Sequence, residues 1–516
     1  MGSPTRSAAP RHAARPARVL AALALVAWLG SSPALGQTTQ DWTQFQGDGA
    51  HAGAASEGVA PPYREAWRFD PELTGRFGVS APAIAGEVAV TVGPRAVYGV
   101  DLATGEAAWT IVRIYGPSAA PAVAATEAGD LLIYTEGYGQ APPDEAYPSA
   151  TPPPSASPSA AATEPEGGGA PVTSQVMAVD LATQEPAWDA PVLLPAVSRT
   201  GVTSDDADTA YVGDDDGTIT AIDVATGEVR WTFDAPGPVS TAIAADDGTV
   251  VFSTVPVEET PAVVIALAAE DGSELWRLGE DIGPFFASSP AIVGDTVYLR
   301  FVDAAGTRLR ALALEDGGER WTRTVDPQLS LVSAPIPPVA TSETVVALGQ
   351  SGQVHALSAS TGEELWDYAI NAPVPRSVPA TASATLLVPT NSGSLLAIDT
   401  ESHDLVSRSA AGGPQGHIGA LAVTPTLIVG VKGGHRPGLV AFEHDDGAAL
   451  LDEPSPTVLA PGVMVANFAI AALPMLAVLW LAGRWLTRRI GPAFVDDDRE
   501  PAAGPADPDA SPETDP

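Results

Sequence analysis

The chain has 516 residues, of which 45% are hydrophobic and 17% are charged, so it can bury a large core and is not disordered as a whole. It contains no cysteine, which excludes disulfide scaffolds, thiolate metal sites, thiol catalysis and an N-terminal lipoprotein anchor. Its formal net charge of -38 leaves no basic footprint for nucleic acid, so we expect no nucleic-acid partner.

The first 36 residues have the pattern of a secretory signal peptide. A basic stretch from Arg6 to Arg18 precedes an apolar run from Val19 to Leu29, which is too short to span a bilayer. The small residues around Gly36 then form a cleavage site. We therefore expect residues 1–36 to be removed on secretion and the next domain to fold outside the cytoplasm.

An eleven-residue unit recurs through the middle of the chain. The copy Ala221 to Trp231 reads AIDVATGEVRW, and the tryptophans from Trp188 to Trp366 follow one another at intervals of 43, 45, 45 and 45 residues. Other copies end at Trp109, Trp188, Trp276, Trp321 and Trp366, and two degenerate copies have Ser407 and Leu451 at the tryptophan position. Eight copies at a spacing of about 44 residues indicate a repeat architecture.

Alternating strand patterns and Asp-Gly or Thr-Gly turns surround each copy. A repeat of about 44 residues with four short strands is typical of a propeller blade. We therefore predict an all-β, eight-bladed β-propeller over residues 42–452. The segment Glu65 to Phe69 carries Trp67 with no repeat before it, and we expect its strand to complete the eighth blade and close the ring.

A proline-, alanine- and serine-rich segment, residues 137–174, interrupts the second repeat. Its composition predicts a disordered, partly polyproline loop. Two interpretations stay open: a tolerated insertion, or a glycosylated or partner-contacting arm.

The C-terminal region has the pattern of a single membrane span. No charged residue occurs from Pro454 to Gly483, and arginines follow at once, beginning with Arg484. We predict a transmembrane helix over residues 458–486. Because arginines on one flank favour the cytoplasmic side, the acidic, disordered tail at 487–516 is expected inside the cell. The predicted protein is thus a single-pass bacterial membrane protein with its propeller outside the cytoplasm.

The unit A-x-D-x-x-T-G-x-x-x-W resembles the tryptophan-docking motif of the pyrroloquinoline quinone (PQQ)-like β-propeller family. The segment Trp42 to Asp48 resembles the stretch that often precedes the first blade there. The family includes quinoprotein dehydrogenases, the BamB-type assembly scaffold and many binding modules. The resemblance implies that the indoles pack between neighbouring blades, and we assign this structural role to Trp67, Trp109, Trp188, Trp231, Trp276, Trp321 and Trp366.

Family members that bind PQQ use Ca²⁺ with carboxylate and asparagine ligands, an aspartate base and commonly a pair of adjacent cysteines. This chain has no cysteine and three asparagines: Asn371, Asn391 and Asn467. We therefore expect no bound PQQ. Arg308 and Arg310 share one face of a predicted strand and are the best candidates for an anionic ligand, although a solvated strand edge is the favoured interpretation.

Two other groups of residues have the chemistry of metal ligands. Asp214, Asp215 and Asp216 precede Gly217, but Val212 occupies the position where a calcium loop needs its first acid, so a hairpin turn is favoured. The histidines of the last repeat, His417, His435 and His444, lack the spacing of a metal site. We predict no catalytic, cofactor-binding or metal-binding residues.

These patterns support two hypotheses about function. The first is a membrane-anchored, non-catalytic scaffold or binding module that holds an unidentified protein partner outside the cytoplasm. The alternative is a membrane-bound, PQQ-dependent dehydrogenase.

Overall fold

Short strands joined by tight turns make up the regular structure of the described part of the chain. A computed structural model describes residues 42–453, apart from gaps at 72–77, 139–172, 206–207, 258–259, 280–285, 304–305, 327–335, 350–351, 371–373, 375–376, 411–415 and 435. Two strands precede the repeats: β1 (Ala54–Ala55) and β2 (Tyr63–Phe69).

The first four blades each contain four strands in chain order. They are β3 (Ala83–Ala85), β4 (Val88–Val92), β5 (Ala96–Asp101) and β6 (Ala107–Val112) in blade 1; β7 (Ala122–Thr126), β8 (Gly129–Tyr138), β9 (Thr173–Asp180) and β10 (Val192–Leu193) in blade 2; β11 (Thr203–Ser204), β12 (Thr209–Gly213), β13 (Thr218–Asp223) and β14 (Val229–Asp234) in blade 3; and β15 (Ala244–Asp246), β16 (Thr249–Ser253), β17 (Val264–Ala268) and β18 (Glu274–Leu278) in blade 4.

The last four blades follow the same plan, except that blade 5 has five strands and blade 8 has three strands of its own. They are β19 (Phe286–Ala287), β20 (Ala291–Val293), β21 (Thr296–Asp303), β22 (Gly306–Ala313) and β23 (Glu319–Asp326) in blade 5; β24 (Val339–Ala340), β25 (Thr344–Leu348), β26 (Gln353–Ser358) and β27 (Glu364–Ala369) in blade 6; β28 (Ala380–Ala382), β29 (Thr385–Pro389), β30 (Ser394–Asp399) and β31 (Leu405–Ala410) in blade 7; and β32 (Ile418–Val423), β33 (Ile428–Lys432) and β34 (Gly438–His444) in blade 8.

The eight sheets confirm the predicted eight-bladed β-propeller. Within each blade the successive strands pair antiparallel, as hairpins require. The Asp-x-x-Thr-Gly sequence of blades 1 and 3 forms the turn before the outer strand, and related sequences occupy this turn in other blades. In blade 1, Asp101 Oδ1 accepts hydrogen bonds from the amide and the hydroxyl of Thr104, both at 2.8 Å, and Gly105 adopts a φ of 72° that favours glycine.

The predicted closure of the ring is also confirmed. Strand β2 pairs antiparallel with β34 and supplies the outer strand of blade 8, with Trp67 opposite Ala441. This is the register in which Trp231 lies opposite Ala221. Leu451 therefore does not occupy the tryptophan position of the eighth blade. It belongs instead to a segment that runs beside β31, where its amide donates to the carbonyl of Val406 at 2.9 Å.

The apolar core lies between neighbouring blades. Because side chains alternate along a strand, each blade supplies apolar residues to both of its neighbours. In blade 5, Leu299 and Phe301 pack in the cluster shared with blade 4, whereas Tyr298 and Leu309 pack in the cluster shared with blade 6. Each blade is thus stabilised by the two blades beside it rather than by a core of its own.

No helix long and apolar enough to cross a membrane occurs between residues 42 and 453 outside the gaps named above. The predicted signal peptide (1–36), transmembrane helix (458–486) and acidic tail (487–516) lie outside the described residues, as does the predicted disordered insertion (137–174) apart from its ends. Those ends are not loop: Gly137 and Ser174 lie opposite each other in β8 and β9.

Candidate functional site

The inside of the ring is lined by an N-terminal segment, residues 42–55, here called the inner strap. Its backbone carbonyls accept hydrogen bonds of 2.7 to 2.9 Å from the first strands of six blades. The donor and acceptor pairs are Ile84 with Trp42, Val123 with Thr43, Ala245 with Gly49, Ile292 with Ala50, Ala340 with Ala52, and Thr381 with Gly53. The strap thereby pairs the inner edges of the sheets, which would otherwise expose unpaired amides.

Two glutamine side chains of the strap extend this contact. Gln44 Nε2 donates to the carbonyl of Ser204 at 2.9 Å, which ties the strap to blade 3. Gln46 Nε2 donates to the carbonyl of Pro338 at 3.1 Å, beside blade 6. Because β2 completes blade 8, the chain from Trp42 to Phe69 is hydrogen-bonded to all eight blades.

His51 lies in the middle of the strap and is fully buried. Burial lowers the pKa of His51 to about 3, so its imidazole is neutral at physiological pH. Its ring meets the ring of Phe45 edge to face, with 5.5 Å between centroids. Nε2 lies 3.4 Å from the hydroxyl of Thr203. The strap therefore presents Phe45 on a packed and uncharged support.

A funnel with a volume of about 420 Å³ opens on one side of Phe45. Most of its wall comes from the segments that precede the inner strands of several blades, and most of the residues are small: alanines, glycine, serines and threonines. Representative residues are Ala81, Ala120, Gly201, Ala242 and Ala420. Phe45 is the largest apolar side chain among the described residues of this wall.

Serine and threonine hydroxyls around the funnel come from five successive parts of the ring: Ser80, Ser118, Thr200, Ser240 and Ser289. Three of them donate to backbone carbonyls. Ser80 Oγ donates to the carbonyl of Ala81 at 2.9 Å, Ser118 Oγ to Gly78 at 3.2 Å, and Thr200 Oγ1 to Gly213 at 3.1 Å. These three hydroxyls hold the loops of the rim in place.

The funnel offers little charged chemistry. Arg199 is the one charged residue among the described residues of its wall, and its Nε donates to Asp215 Oδ2 at 2.9 Å. PQQ carries three carboxylates, and a Ca²⁺ ion that bridges it to the protein needs carboxylate ligands. The described wall supplies no carboxylate, so its residues do not fit this cofactor.

The tryptophans assigned from the repeats lie at the joints between blades. The indole of Trp231 covers Gly272 of the next blade, and its Nε1 donates to the carbonyl of Ala269 at 2.8 Å. Four other joints repeat this geometry, with indole and glycine pairs Trp67 and Gly105, Trp188 and Gly227, Trp276 and Gly317, and Trp321 and Gly362. A side chain at these glycines would collide with the indole.

Two joints depart from this pattern. Blade 7 has His403 where the other turns have glycine, and its ring stacks on Trp366 at a centroid distance of 5.2 Å. Blade 2 has Gln184 at that position, and Trp109 lies over Gly99 of its own blade, where a Cβ atom would come within 2.1 Å of the indole. The first copy of the motif has Gly99 where most copies have alanine. This glycine is the sequence signal for the different position of the Trp109 indole.

The joint between blades 7 and 8 contains no tryptophan. Ser407 occupies the position and its Oγ accepts the amide of Tyr63 at 3.1 Å, while Ser409 Oγ donates to the carbonyl of Tyr63 at 2.5 Å. Side-chain hydrogen bonds to the closing strand β2 thus replace the indole at this one joint.

The candidate anion-binding pair lies in a less exposed place than the sequence suggested. Arg310 is buried, with 8% of its surface exposed, and its guanidinium lies 4.9 Å from the centroid of Phe301. Burial, with a contribution from Arg308, lowers the pKa of Arg310. Glu319 Oε2 is 3.5 Å from Arg310 Nη1. The interpretation as a solvated edge does not hold for Arg310, which packs as part of blade 5.

Three other cations are buried and hold backbone or loops together. Arg113 donates to the carbonyls of Gly93 and Pro117, and burial lowers its pKa to about 10. Arg300 donates to the carbonyl of Leu348 at 2.6 Å and so joins blade 5 to blade 6. Lys432, the only lysine of the chain, is itself buried and forms an ion pair with the more exposed Asp70.

Asp214 forms a turn rather than a metal site. Its Oδ1 accepts the amides of Asp216 and Thr218, and its Oδ2 accepts the amide of Ala196. Burial raises the pKa of Asp214. Among the described residues, no group of three histidine, aspartate or glutamate side chains is arranged to hold a metal ion.

Known proteins share the sequence repeat of this chain. A family model described as "Outer membrane protein assembly factor BamB" matches residues 172–330 and 305–457, which together exceed half of the chain. The chain belongs to this family of PQQ-like β-propellers. The BamB of Yersinia pestis is 31% identical over 171 residues, covering 31% of this chain and 41% of that protein. The match thus spans about two fifths of the relative's length.

Two solved structures share the fold. BamB from Moraxella catarrhalis superposes with a TM-score of 0.51 at 14% identity, over 74% of this chain and 100% of that chain. The computationally designed protein Ika8 has the same TM-score and identity, over 74% and 99%. At this level of identity the likeness between the BamB fold and this chain concerns the fold alone.

Proposed function

We propose that this protein is a non-catalytic scaffold outside the cytoplasm, tethered to the membrane, that holds a partner protein of the bacterial envelope. The inner strap is the observation that carries the proposal. It is hydrogen-bonded to blade after blade, from Trp42 to Ala55, and so ties the inner edges of the sheets to one another. The result is a rigid disc whose two faces are available for protein contacts.

Membership of the BamB family supports the same proposal. The relative in Yersinia pestis is named as an outer membrane protein assembly factor. Family likeness favours an envelope location and a protein partner for this chain, whereas the identity of the partner does not follow from it.

The tether is proposed from the sequence. The uncharged stretch that begins at Pro454 follows directly on the last described residues, and Glu453 pairs with Leu405 at the outer strand of blade 7. The proposed span over residues 458–486 therefore begins only a few residues after the propeller in the sequence.

Site-specific photocrosslinking of the full-length chain in its own membrane tests the scaffold. A photoreactive residue is placed at Asp216 or Arg436, exposed in turns on the funnel side, or at Thr226 or Glu270, exposed in turns at the opposite ends of the strands. A scaffold with a specific surface gives a discrete adduct with one envelope protein from one pair of positions and not from the other. The absence of a discrete adduct from all four positions, or equal adducts from both pairs, would contradict the proposal.

The dehydrogenase alternative has its own test on the same preparation. Because the described residues of the funnel wall include no carboxylate, the full-length protein incubated with PQQ and Ca²⁺ is expected to show neither a stoichiometric quinone spectrum nor dye-linked oxidation of alcohols or sugars. One-to-one binding of PQQ with turnover would overturn the scaffold proposal in favour of the dehydrogenase.

A further inference from the structure

The funnel above Phe45 has the features of a small-molecule site. We infer that it binds an uncharged sugar ring, without chemistry, in a role separate from the protein contacts proposed above. Three properties of the described wall support this ligand class: its lack of free charge, its aromatic floor and its two hydroxyls with spare hydrogen-bonding capacity.

Charge is the first argument. Arg199 is the one charged residue among the described residues of the wall, and Asp215 already neutralises it. A chain with a formal net charge of -38 repels anions, and a cationic ligand would find no carboxylate on the described wall. An ion that entered the funnel would lose hydration without gaining a partner, which favours an uncharged ligand.

The floor is the second argument. Phe45 is half-buried, so part of its ring faces the funnel, and the edge-to-face contact with His51 fixes its position. Because His51 is neutral, no buried charge disturbs the aromatic surface. The face of an aromatic ring carries partial negative charge and attracts the partly positive C–H groups that line one face of a pyranose.

The hydroxyls are the third argument. Ser240 is exposed at the funnel, between blades 3 and 4. Ser289 Oγ accepts the amide of Ala242 at 3.0 Å, which leaves its hydroxyl proton to donate. Ser240 and Ser289 lie near each other, because the amide that Ser289 accepts belongs to Ala242, two residues after Ser240. A ligand that brings its own hydroxyls can pair with both, whereas an apolar ring of the same size would leave them unpaired.

Size agrees with this assignment. A volume of about 420 Å³ lies near the lower end of the range of about 300–1,000 Å³ that is usual for ligand pockets. The small side chains of Ala81, Ala120 and Ala242 leave room for a ring above Phe45. The site is therefore suited to a single sugar unit, free or at the end of a longer glycan.

Ligand-detected NMR on the full-length protein in detergent tests the inference. The probes are N-acetylglucosamine, glucuronate as a charged sugar, and cyclohexylmethanol as an apolar ring. We expect saturation transfer to the ring protons of N-acetylglucosamine and weaker signals from the other two. The variant Phe45→Leu keeps an apolar side chain in the strap but removes the aromatic face, and it should weaken binding of the sugar about fivefold.

A matched pair of serine variants completes the test. Ser240→Ala combined with Ser289→Ala should weaken sugar binding at least about fivefold, because two hydrogen bonds are lost. Ser360→Ala, in an exposed turn of blade 6, should leave it unchanged. No saturation transfer from N-acetylglucosamine, a stronger signal from cyclohexylmethanol, or equal binding by Phe45→Leu overturns the inference. None of these results depends on a protein partner, so the scaffold proposal stands or falls separately.

Discussion

Gln44 forms two hydrogen bonds to the backbone of Ser204, a residue 160 positions further along the chain. Its Nε2 donates to the carbonyl and its Oε1 accepts the amide, each at 2.9 Å. Both residues are buried, so neither backbone group of Ser204 can turn to water instead. The Gln44 side chain therefore provides hydrogen-bond partners for both backbone groups of Ser204 at the inner edge of the third blade.

The first prediction concerns this contact. Gln44→Leu removes both partners and leaves the amide and carbonyl of Ser204 buried and unpaired, so the free energy of unfolding should fall by about 2–4 kcal/mol. Gln353→Leu is the control, because Gln353 makes an exposed hydrogen bond to Asp367 and its loss should cost less than about 1 kcal/mol. Urea denaturation of the secreted propeller measures both, and equal losses would show that the strap contributes little.

The second prediction separates indole packing from backbone strain. Gly272 and Gly248 have nearly the same φ, 72° and 73°, but a Cβ on Gly272 would come within 2.6 Å of Trp231, whereas a Cβ on Gly248 meets nothing within 4 Å. Both alanine variants carry the same left-handed strain of about 1–2 kcal/mol. Gly272→Ala should lose about 1–3 kcal/mol more, because the joint is overpacked. Matching losses in denaturation experiments would contradict this role of the indole.

The third prediction concerns acid stability. His51 has a pKa of about 3 in the folded protein, below its ordinary value of 6.5, so between these limits only the unfolded chain takes up its proton. Stability from this group is complete above pH 6.5 and falls as the pH drops, by about 1.4 kcal/mol per pH unit. His51→Asn, which tolerates the φ of 56° at this position, should reduce the slope of unfolding free energy against pH by about this amount.

Wild type and His51→Asn compared between pH 4 and 6.5 provide the measurement. Other groups, such as Asp214, titrate equally in both proteins and cancel in the difference. Parallel curves would show that the pKa of His51 is the same in the folded and the unfolded protein, and would contradict its lowered pKa.

The fourth prediction locates the weakest joint. From the sequence, the joints after the seventh and the eighth blade both lack a tryptophan. In the structure Trp67 provides the indole of the eighth blade. Ser407, in the seventh blade, therefore marks one weak joint among those described. Hydrogen exchange measured by mass spectrometry should be faster in β31 than in β14, where Trp231 packs on the next blade. Equal protection of the two strands would mean that Tyr63 replaces the indole fully.

The fifth prediction concerns the membrane. Removal of residues 454–516 deletes the one uncharged stretch after the propeller that is long enough to span a bilayer, so the shortened chain should be secreted in soluble form. In whole cells, protease should cleave within residues 137–174 and spare the C-terminal tail. Fractionation with antibodies to both regions reports this, and a shortened chain that stays in the membrane would reveal another anchor.

The sequence predicted those features that repeat. The docking unit recurs at a constant interval, so blade number followed from counting, and Trp67 could be assigned to the last blade because its strand resembles that of Trp231. The inner strap was missed because it has no period: its contacts use backbone carbonyls, and the glycines between Gly47 and Gly53 resemble an ordinary loop. The funnel was missed with it, since Phe45 becomes a floor only when the strap lies across the ring.

The burial of Lys432 leaves the folded propeller with little reactivity towards amine-directed reagents. Lys432 is the single lysine of the chain, and its side chain is enclosed beside Asp70. Reagents that join two lysines cannot link this protein to a neighbour through its folded surface, so a survey of the envelope based on such reagents would pass over its complexes. The same property is useful at a sensor surface: coupling through amines would attach every molecule by its terminal amino group and in one orientation.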